Sequence, residues 1–443
     1  MNIKSIRVQN FRGFEDRSFE FDSKMNVVLG DNTTGKTTLL HAVQIALGAY
    51  LQAMSLIPGG KAYSRNFKQT DYVMNYIKTN DSFVLDINKP YIKTVAEFHK
   101  ATYNVNTRHT DDCDVGISWY RNSNTISRIS AGELMNAVSE MEAIRRNADS
   151  TGTISVFPLM LSFGAKRLDK NYRSAQKTKA RESREAKAYK SALNEEVDFK
   201  AAFDWMYRYD RNLDKGKEFE GTKEAFFEVM KKAIPAIKHI EIDVKNEELN
   251  AEIQMTKDPN PYPLTYDMMS DGFKAMINIV AEIAYRCIEL NGFLGRNAVK
   301  QTPGVVLIDE LDLYLHPHWQ QHVLADLQDA FPKFQFIVTT HSPFIVQSVK
   351  KGNVISLDGV RVDTDPQMRN IEDIIYTEMQ TEPRHSKYKN MLNMAEEYYQ
   401  LVKGGKGNTS EAEQVKKRLD EIEMTFSDDP AYVALLKAER KSI

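Results

Sequence analysis

The stretch VLGDNTTGKTTLL, at residues 28–40, constrains the fold more than any other part of the chain. It matches the pattern G-x-x-x-x-G-K-[ST], a loop that binds phosphate groups, at Gly30, Gly35, Lys36 and Thr37. Glycine permits the tight turn in which successive backbone N–H groups point into one concavity. An apolar run precedes the loop and an amphipathic pattern follows it. The sequence therefore predicts a strand, a phosphate-binding loop and a helix, in that order.

A second apolar run ends in two carboxylates. The stretch GVVLIDELDLYLHP (304–317) contains four consecutive apolar residues, typical of a central strand, followed by Asp309 and Glu310. Next to a bound nucleoside triphosphate, such an aspartate would bind the Mg²⁺ shell and such a glutamate would polarise the attacking water. The pair therefore predicts hydrolysis of the nucleotide as well as binding.

Two further stretches add polar groups to the same region. FQFIVTTHSPFIV (334–346) is an apolar strand that ends in Thr-Thr-His-Ser. Parallel strands place their carboxyl ends at one edge of a sheet, so His341 is predicted to donate to the γ-phosphate. In YDMMSDGFKAMINIVAEIAYRCIEL (266–290), Ser270 is a predicted helix N-cap and apolar residues follow at helical spacing.

These four motifs, in this order, resemble the ABC-type ATPases of the SMC, RecF and double-strand-break-repair class. The segment IRVQNFRGFEDRSFEFDSKMNVVLG is similar to the N-terminal hairpin of that class, SDGFK to its signature motif and His341 to its switch histidine. The resemblance covers about residues 1–60 and 260–350. It implies a two-lobed α/β head in which a P-loop core sheet is joined to an antiparallel β subdomain. A short helical insertion is expected between the phosphate-binding loop, called Walker A in this class, and the signature motif. The insertion contains no sustained heptad repeat, so a long coiled coil is not predicted.

The resemblance also implies a mechanism with ATP and Mg²⁺, in a homodimer or higher oligomer whose copies enclose the nucleotides between them. Ser270 and the backbone N–H of Gly272 would then contact ATP that is bound by the second copy. The Q-loop glutamine of the class has only Gln69 as a candidate, and Arg12 lies either near the nucleotide or in a surface turn. The full predicted site has three groups of residues. The nucleotide-binding residues are Arg12, Gly30, Asn32, Gly35, Lys36, Thr37, Thr38, Ser270 and Gly272. The metal-binding residues are Thr37 and Asp309, and the catalytic residues are Glu310 and His341.

A narrower resemblance rests on FPLMLSFGAKRL (157–168), IDELDLYLHPHWQQ (308–321) and FSDDPAYVALLKAERKSI (426–443). These stretches are similar to a bacterial family of stand-alone RecF-like ATP-binding proteins. Relatives of that family serve as the ATPase half of Septu-type and retron-associated anti-phage systems, paired with a small HNH nuclease. This resemblance implies an ATPase that controls an effector nuclease and is not itself a nuclease. The alternative is a RecF/SMC-like DNA-repair ATPase that binds duplex DNA directly.

Charge restricts how the chain could contact DNA or RNA. The net charge of the 443 residues is −2, so such contact requires a local patch. Residues 166–190 supply a candidate, because they contain ten Lys or Arg and three Asp or Glu. A run of this kind is either a phosphate-binding surface or a solvated helix face.

Four regions are predicted along the chain: ATPase lobe I with Walker A (1–165), a helical insertion with the basic patch (166–260), lobe II with the signature, Walker B and switch histidine (261–365), and a helical C-terminal extension (366–443). Within lobe I, the stretch 116–129 predicts two strands joined by a hairpin turn at 121–124. The extension is either a lid or a docking surface. The chain shows no signal-peptide pattern and no apolar run near the ~20 residues that span a bilayer. Its two cysteines are far apart, so we expect a cytoplasmic protein without membrane contact.

Overall fold

A five-stranded parallel sheet forms the centre of the computed structural model. Its order is β11 (Leu159–Phe163), β15 (Gly304–Ile308), β16 (Phe334–Thr339), β3 (Met25–Leu29) and β17 (Val354–Ser356). Every neighbouring pair in this sheet is parallel. The first four strands are buried along their whole length, which explains their continuous apolar runs. Because the strands are parallel, the residues after Leu29, Phe163, Ile308 and Thr339 share one edge of the sheet.

The structure describes most of the chain but not all of it. The described residues are 1–57, 59–78, 83–165, 167–168, 183–195, 199–210, 219–243, 246, 248–254, 260–359, 365–381, 386–407 and 409–423.

A four-stranded antiparallel sheet packs near the parallel sheet. Its order is β2 (Phe14–Glu20), β1 (Asn2–Phe11), β6 (Tyr91–His99) and β9 (Asp114–Arg121). Helix α1 (Lys36–Ala53) lies between the two sheets. On one side Trp119 Nε1 donates to the carbonyl of Ala46 at 2.9 Å, and on the other Gln44 Nε2 donates to Ser162 Oγ at 2.7 Å. Contact on both sides explains why α1 is buried around almost its whole circumference.

The remaining strands of the described chain form three smaller antiparallel sheets. They are β10–β7–β8 (Thr153–Ser155, Thr102–Asn104, His109–Asp111), β12–β13–β14 (Ile237–Asp243, Glu248–Ile253, Tyr262–Thr265) and β4–β5 (Val73–Lys78, Phe83–Asn88). The predicted α/β class, with a parallel P-loop sheet and an antiparallel β subdomain, is therefore confirmed.

The helices after α1 are mostly short. They are α2 (Gly60–Tyr63), α3 (Arg128–Arg146), α4 (Ala148–Thr151), α5 (Arg184–Tyr189), α6 (Phe199–Asp210), α7 (Thr222–Ala233), α8 (Asp271–Asn291), α9 (Ala298–Gln301), α10 (Pro317–Gln320), α11 (Val323–Ala330), α12 (Pro343–Gln347), α13 (Ile371–Thr377), α14 (Ser386–Lys403) and α15 (Ser410–Glu423). Short 3₁₀ segments cover Gln69–Asp71, Tyr266–Met268, Gly292–Asn297, Lys351–Asn353 and Pro366–Met368. The longest helix in the described ranges, α8, has 21 residues, so these ranges contain no coiled-coil arm. None of the described helices combines the length and apolarity needed to cross a membrane.

The hairpin predicted at 116–129 is wrong. Strand β9 ends at Arg121, and the chain continues through a turn into α3. Ser127 caps this helix, because its Oγ accepts from Ser130 N at 3.2 Å while Ser130 Oγ accepts from Ser127 N at 2.9 Å. Asn124 Oδ1 accepts from Phe67 N at 2.7 Å. The polar residues after Arg121 therefore stabilise the connection between β9 and α3.

The chain divides into two compact units, Met1–Ile374 and Ile375–Ile443. The first unit contains all five sheets. The second contains α14 and α15, which pack against each other. Within the region 166–260 the described residues form α5, α6 and α7, followed by β12 and β13.

Candidate nucleotide-binding site

The loop after β3 has a backbone that requires glycine at two positions. Gly30 has φ +153° and Gly35 has φ +103°. A Cβ at Gly30 would lie 2.4 Å from Thr34 Oγ1, and one at Gly35 would lie 2.8 Å from Phe14 Cζ. The two glycines therefore allow the chain to form a concave loop at the N-terminus of α1, where free N–H groups and the helix dipole favour an anion.

Lys36 supplies the positive charge of this loop. It is 7% exposed, and its Nζ donates to the carbonyls of Gly30 at 2.5 Å and Asp31 at 2.9 Å. Burial lowers the pKa of Lys36, while the carboxylates of Asp358 and Asp309 oppose that shift. Lys36 forms no ion pair with a described carboxylate. A buried cation whose hydrogen bonds go to neutral carbonyls fits the phosphates of a nucleotide.

Asp309, at the end of β15, joins α1 to β16. Its Oδ2 accepts from Thr37 Oγ1 at 3.0 Å, and its Oδ1 accepts from Thr339 Oγ1 at 2.6 Å. The structure thus brings together the two predicted metal ligands, which are far apart in the sequence. A hydroxyl and a carboxylate are oxygen ligands of the kind that Mg²⁺ prefers, so the pair fits that ion.

Glu310 follows Asp309 in an unusual backbone conformation, with φ +49°. A residue with a side chain is rare in this region and costs of order 1–3 kcal/mol. Its backbone N–H donates to Thr339 Oγ1 at 2.8 Å. The Glu310 carboxylate is partly exposed and makes no hydrogen bond within the described chain, so it is available to a water molecule.

His341 lies two residues beyond β16, at the same edge of the sheet. Its backbone N–H donates to Asp312 Oδ1 at 3.2 Å, and this oxygen also accepts from Thr340 Oγ1 at 2.6 Å. Asp312 therefore fixes the backbone next to His341. The imidazole is partly exposed and has no hydrogen-bond partner among the described residues.

Ser270 and Gly272 lie at the start of α8. Ser270 is the exposed N-cap residue, and its hydroxyl makes no capping hydrogen bond. Gly272 is buried, and a Cβ there would lie 2.7 Å from the carbonyl oxygen of Tyr314. The start of α8 therefore packs on the loop that follows Glu310. No hydrogen bond between described residues joins Ser270 or Gly272 to the phosphate loop.

The remaining nucleotide-binding candidates differ in their surroundings. Asn32 is exposed in the loop and Thr38 is partly buried in the first turn of α1. Arg12 Nε donates to Asp71 Oδ1 at 2.7 Å. The guanidinium that was predicted to contact the nucleotide is therefore paired with a carboxylate of the same chain. Gln69 is exposed in a 3₁₀ turn and follows none of the parallel strands.

Two residues of the site were missed from the sequence. Asp358, just after β17, accepts from the backbone N–H of Asp31 at 2.9 Å. Arg167, four residues after β11, is 3% exposed and donates to the backbone carbonyls of Asp309 and Glu310. The available signal for Arg167 was its position just beyond a buried strand, at the edge of the sheet where the other motifs end.

Arg167 also changes the interpretation of the basic stretch 166–190. It counts towards the positive charge of that stretch, but it is buried, so it is not available to nucleic acid. Lys187 and Lys190 are exposed near the end of α5. Residues 166 and 169–182, which hold most of the positive charge, lie outside the described residues.

Comparisons with known proteins found one matching family model and several relatives. The AAA_15 family model, described as an AAA ATPase domain, matches residues 1–346. The retron Ec83 probable ATPase of Escherichia coli is 24% identical and aligns over 99% of this chain and 86% of its own length. The retron Vc95 probable ATPase of Vibrio cholerae serotype O1 biovar El Tor is 22% identical and aligns over 94% of this chain and 86% of its own length. The Septu protein PtuA of Bacillus thuringiensis is 37% identical over 25% of this chain and 28% of its own.

The predicted resemblance to retron and Septu ATPases is therefore confirmed. Among solved structures, the SMC head domain from Thermotoga maritima covers 80% of this chain and 94% of its own, with 13% identity and a TM-score of 0.37.

Proposed function

This chain belongs to the AAA_15 family of AAA ATPase domains, and we propose that it is an ATP-hydrolysing switch that controls a partner effector in anti-phage defence. The observation that carries the proposal is the meeting of three sequence motifs at one edge of the parallel sheet. Thr37 and Asp309 share a hydrogen bond there, and Glu310 follows with an unpaired carboxylate.

Binding of the nucleotide is assigned to the loop and the first turn of α1. Backbone N–H groups of the loop and the cation of Lys36 would hold the phosphates of ATP. Thr37 and Asp309 would hold Mg²⁺, which supplies neutralisation of the phosphate charge when it is bound.

Hydrolysis is assigned to Glu310 and His341. The Glu310 carboxylate would accept a proton from the attacking water, since general bases of this kind contribute about 10²–10⁴ in rate. His341 would donate to the γ-phosphate from the neighbouring strand. Both side chains lack hydrogen-bond partners in the described chain, which leaves them available for these roles.

We assign the second half of the site to another copy of the chain. The exposed Ser270 hydroxyl and the free N–H groups of the first turn of α8 are suited to a phosphate. Met268 is 69% exposed and Tyr314 is 42% exposed, and both lie near Ser270. Exposed apolar side chains around a polar centre support an interface, and ATP bound between two copies would hold them together.

The effector is proposed to be an HNH-type nuclease. This step rests on the sequence resemblance to ATPases that are paired with a small HNH nuclease; the matched relatives themselves are named as retron ATPases and Septu proteins. The ATP-bound dimer would present a surface to the nuclease, and hydrolysis by Glu310 would remove that surface.

Substitution Glu310→Gln tests the enzymatic part of this proposal. The amide cannot act as a base, but it keeps the backbone hydrogen bonds of residue 310. We expect phosphate release to fall by about 10²–10⁴-fold while ATP binding, measured by calorimetry, stays near the wild-type value. Glu224→Gln, an exposed change on α7, is the control and should leave both unchanged. Wild-type phosphate release in Glu310→Gln would refute the assignment of the base.

A further inference from the structure

Arg167 is a buried cation whose partners are almost entirely backbone carbonyls of one loop. Its Nη1 donates to the carbonyl of Asp309 at 2.9 Å, and its Nη2 donates to the carbonyls of Glu310 at 2.8 Å and Leu313 at 3.1 Å. Within the described chain Arg167 forms no ion pair. Burial of an unpaired charge is costly, so the interaction with this loop must be strong enough to hold it.

The loop itself explains why it attracts a cation. It contains two successive turns, in which Leu313 N donates to the carbonyl of Glu310 and Leu315 N to the carbonyl of Asp312, each at 3.0 Å. The carbonyls of Asp309, Glu310 and Leu313 converge on one guanidinium. Their partial negative charges resemble those at the C-terminus of a helix, where cations are stabilising.

Arg167 and Thr339 together hold both peptide groups that flank the Cα of Glu310. On the N–H side, Glu310 N donates to Thr339 Oγ1 at 2.8 Å and Leu311 N donates to the Thr339 carbonyl at 3.0 Å. On the carbonyl side, Arg167 binds the oxygens of Asp309 and Glu310. With both peptide planes fixed, the direction of the Cα–Cβ bond of Glu310 is fixed as well, in a conformation that costs energy to hold.

We propose that Arg167 is a positioning residue for hydrolysis, which aims the Glu310 carboxylate by holding the backbone on either side of it. This inference rests on the proposed function of Glu310 as the base. Arg167 makes no hydrogen bond to the phosphate loop, so it should act on turnover and leave nucleotide affinity alone. A small displacement of a catalytic group is enough for a large effect, since about 1 Å can cost 10²-fold in rate.

The main test is Arg167→Met, which keeps an unbranched apolar stem of similar size to the aliphatic part of arginine and removes the guanidinium with all its donors. We expect kcat for phosphate release to fall by about 10²-fold, while the Kd of a non-hydrolysable ATP analogue stays within about twofold of the wild type. Arg167→Lys retains the charge but has fewer directed donors, so its kcat should lie between that of the wild type and that of Arg167→Met. An unchanged kcat in Arg167→Met would overturn the proposal, and so would an equal loss of kcat and affinity.

Arg121→Met is the matched control. Arg121 is 1% exposed and, like Arg167, donates to backbone carbonyls. Its acceptors are the carbonyls of Ile45 and Ser123, which are not in the loop that carries Glu310. We expect this change to lower thermal stability without lowering kcat. If Arg121→Met reduces kcat as much as Arg167→Met does, the effect is general destabilisation and the proposal is wrong.

Two further measurements keep the result decisive. If Arg167→Met does not fold, Arg167→Lys replaces it: a fall in kcat of about tenfold at constant Kd is expected, and wild-type kcat would overturn the proposal. Glu310→Gln is measured in parallel. If Glu310→Gln turns over like the wild type, the proposed function fails; if it is inactive while Arg167→Met keeps its kcat, only the positioning role fails.

Discussion

At the scale of single residues, the charge of Lys36 determines what the phosphate loop can hold. Its ammonium group is nearly buried and donates to two loop carbonyls, and no carboxylate of the described chain is paired with it. An anionic ligand would therefore give the ammonium group hydrogen bonds to an acceptor of opposite charge, which are stronger than those to neutral carbonyls.

Substitution Lys36→Ala should weaken ATP binding by about 2 kcal/mol, or roughly thirtyfold in Kd, since hydrogen bonds to charged groups contribute about 1.5–3 kcal/mol. Isothermal calorimetry with ATP and Mg²⁺ measures this change. Lys61→Ala, an exposed substitution outside the loop, serves as the control. Wild-type affinity in Lys36→Ala would contradict the assignment of the loop.

The residues around Glu310 show what the sequence could and could not predict. Asp309 and Glu310 were predicted because they follow a buried apolar strand, and the structure brings Asp309 to Thr37. Arg167 was counted as part of a charged run, because its contacts are with backbone carbonyls more than 140 positions away in the chain. Backbone carbonyls have no signature in a sequence. Asp358 was missed for a related reason, since the strand before it is only three residues long.

At the scale of elements, the start of α8 and the loop after β15 depend on each other. Gly272 lets the helix approach the carbonyl of Tyr314, which has φ +71°. This contact places the exposed Ser270 beside the loop that carries Glu310. The start of α8 and the loop after β15 are therefore one packed structure within a single chain.

Substitution Gly272→Ala should break this packing. The new Cβ would lie 2.7 Å from a backbone oxygen, which cannot move away as a flexible side chain would. We expect a loss of about 1–3 kcal/mol in the free energy of unfolding, measured by denaturant titration. Gly132→Ala on α3 is the control: its Cβ would have nothing within 4 Å, so stability should change by no more than about 1 kcal/mol. Equal stability in the two variants would show that the close contact is not significant.

Elements with continuous apolar runs were predicted well, whereas short or interrupted ones were not. The strands before the phosphate loop, before Asp309 and before His341 are all buried and all present. Strand β12 follows a helical region and has an irregular register between Ile237 and His239, which interrupts its alternation. The hairpin predicted near 121–124 failed because Ser127 and Ser130 favour the start of a helix there.

At the scale of the whole molecule, the first unit holds every part of the site that one chain supplies. The phosphate loop, Asp309, Glu310 and His341 lie at one edge of the parallel sheet, while Ser270 is exposed at the start of α8. In the proposed mechanism, a second copy brings its own Ser270 to the first copy's nucleotide. Symmetric pairing of two identical chains would then produce two equivalent ATP sites.

Complementation between two inactive variants tests this requirement most directly. Lys36→Ala removes the loop cation and keeps Ser270, whereas Ser270→Arg blocks the signature segment and keeps Lys36. A mixed dimer would contain one site with both groups intact. At an ATP concentration near the wild-type Kd, co-expressed variants should therefore recover about one quarter of the wild-type rate of phosphate release, while each variant alone stays near background. A mixture no more active than its separate components, with both variants folded, would show that Ser270 and Lys36 do not act across two copies.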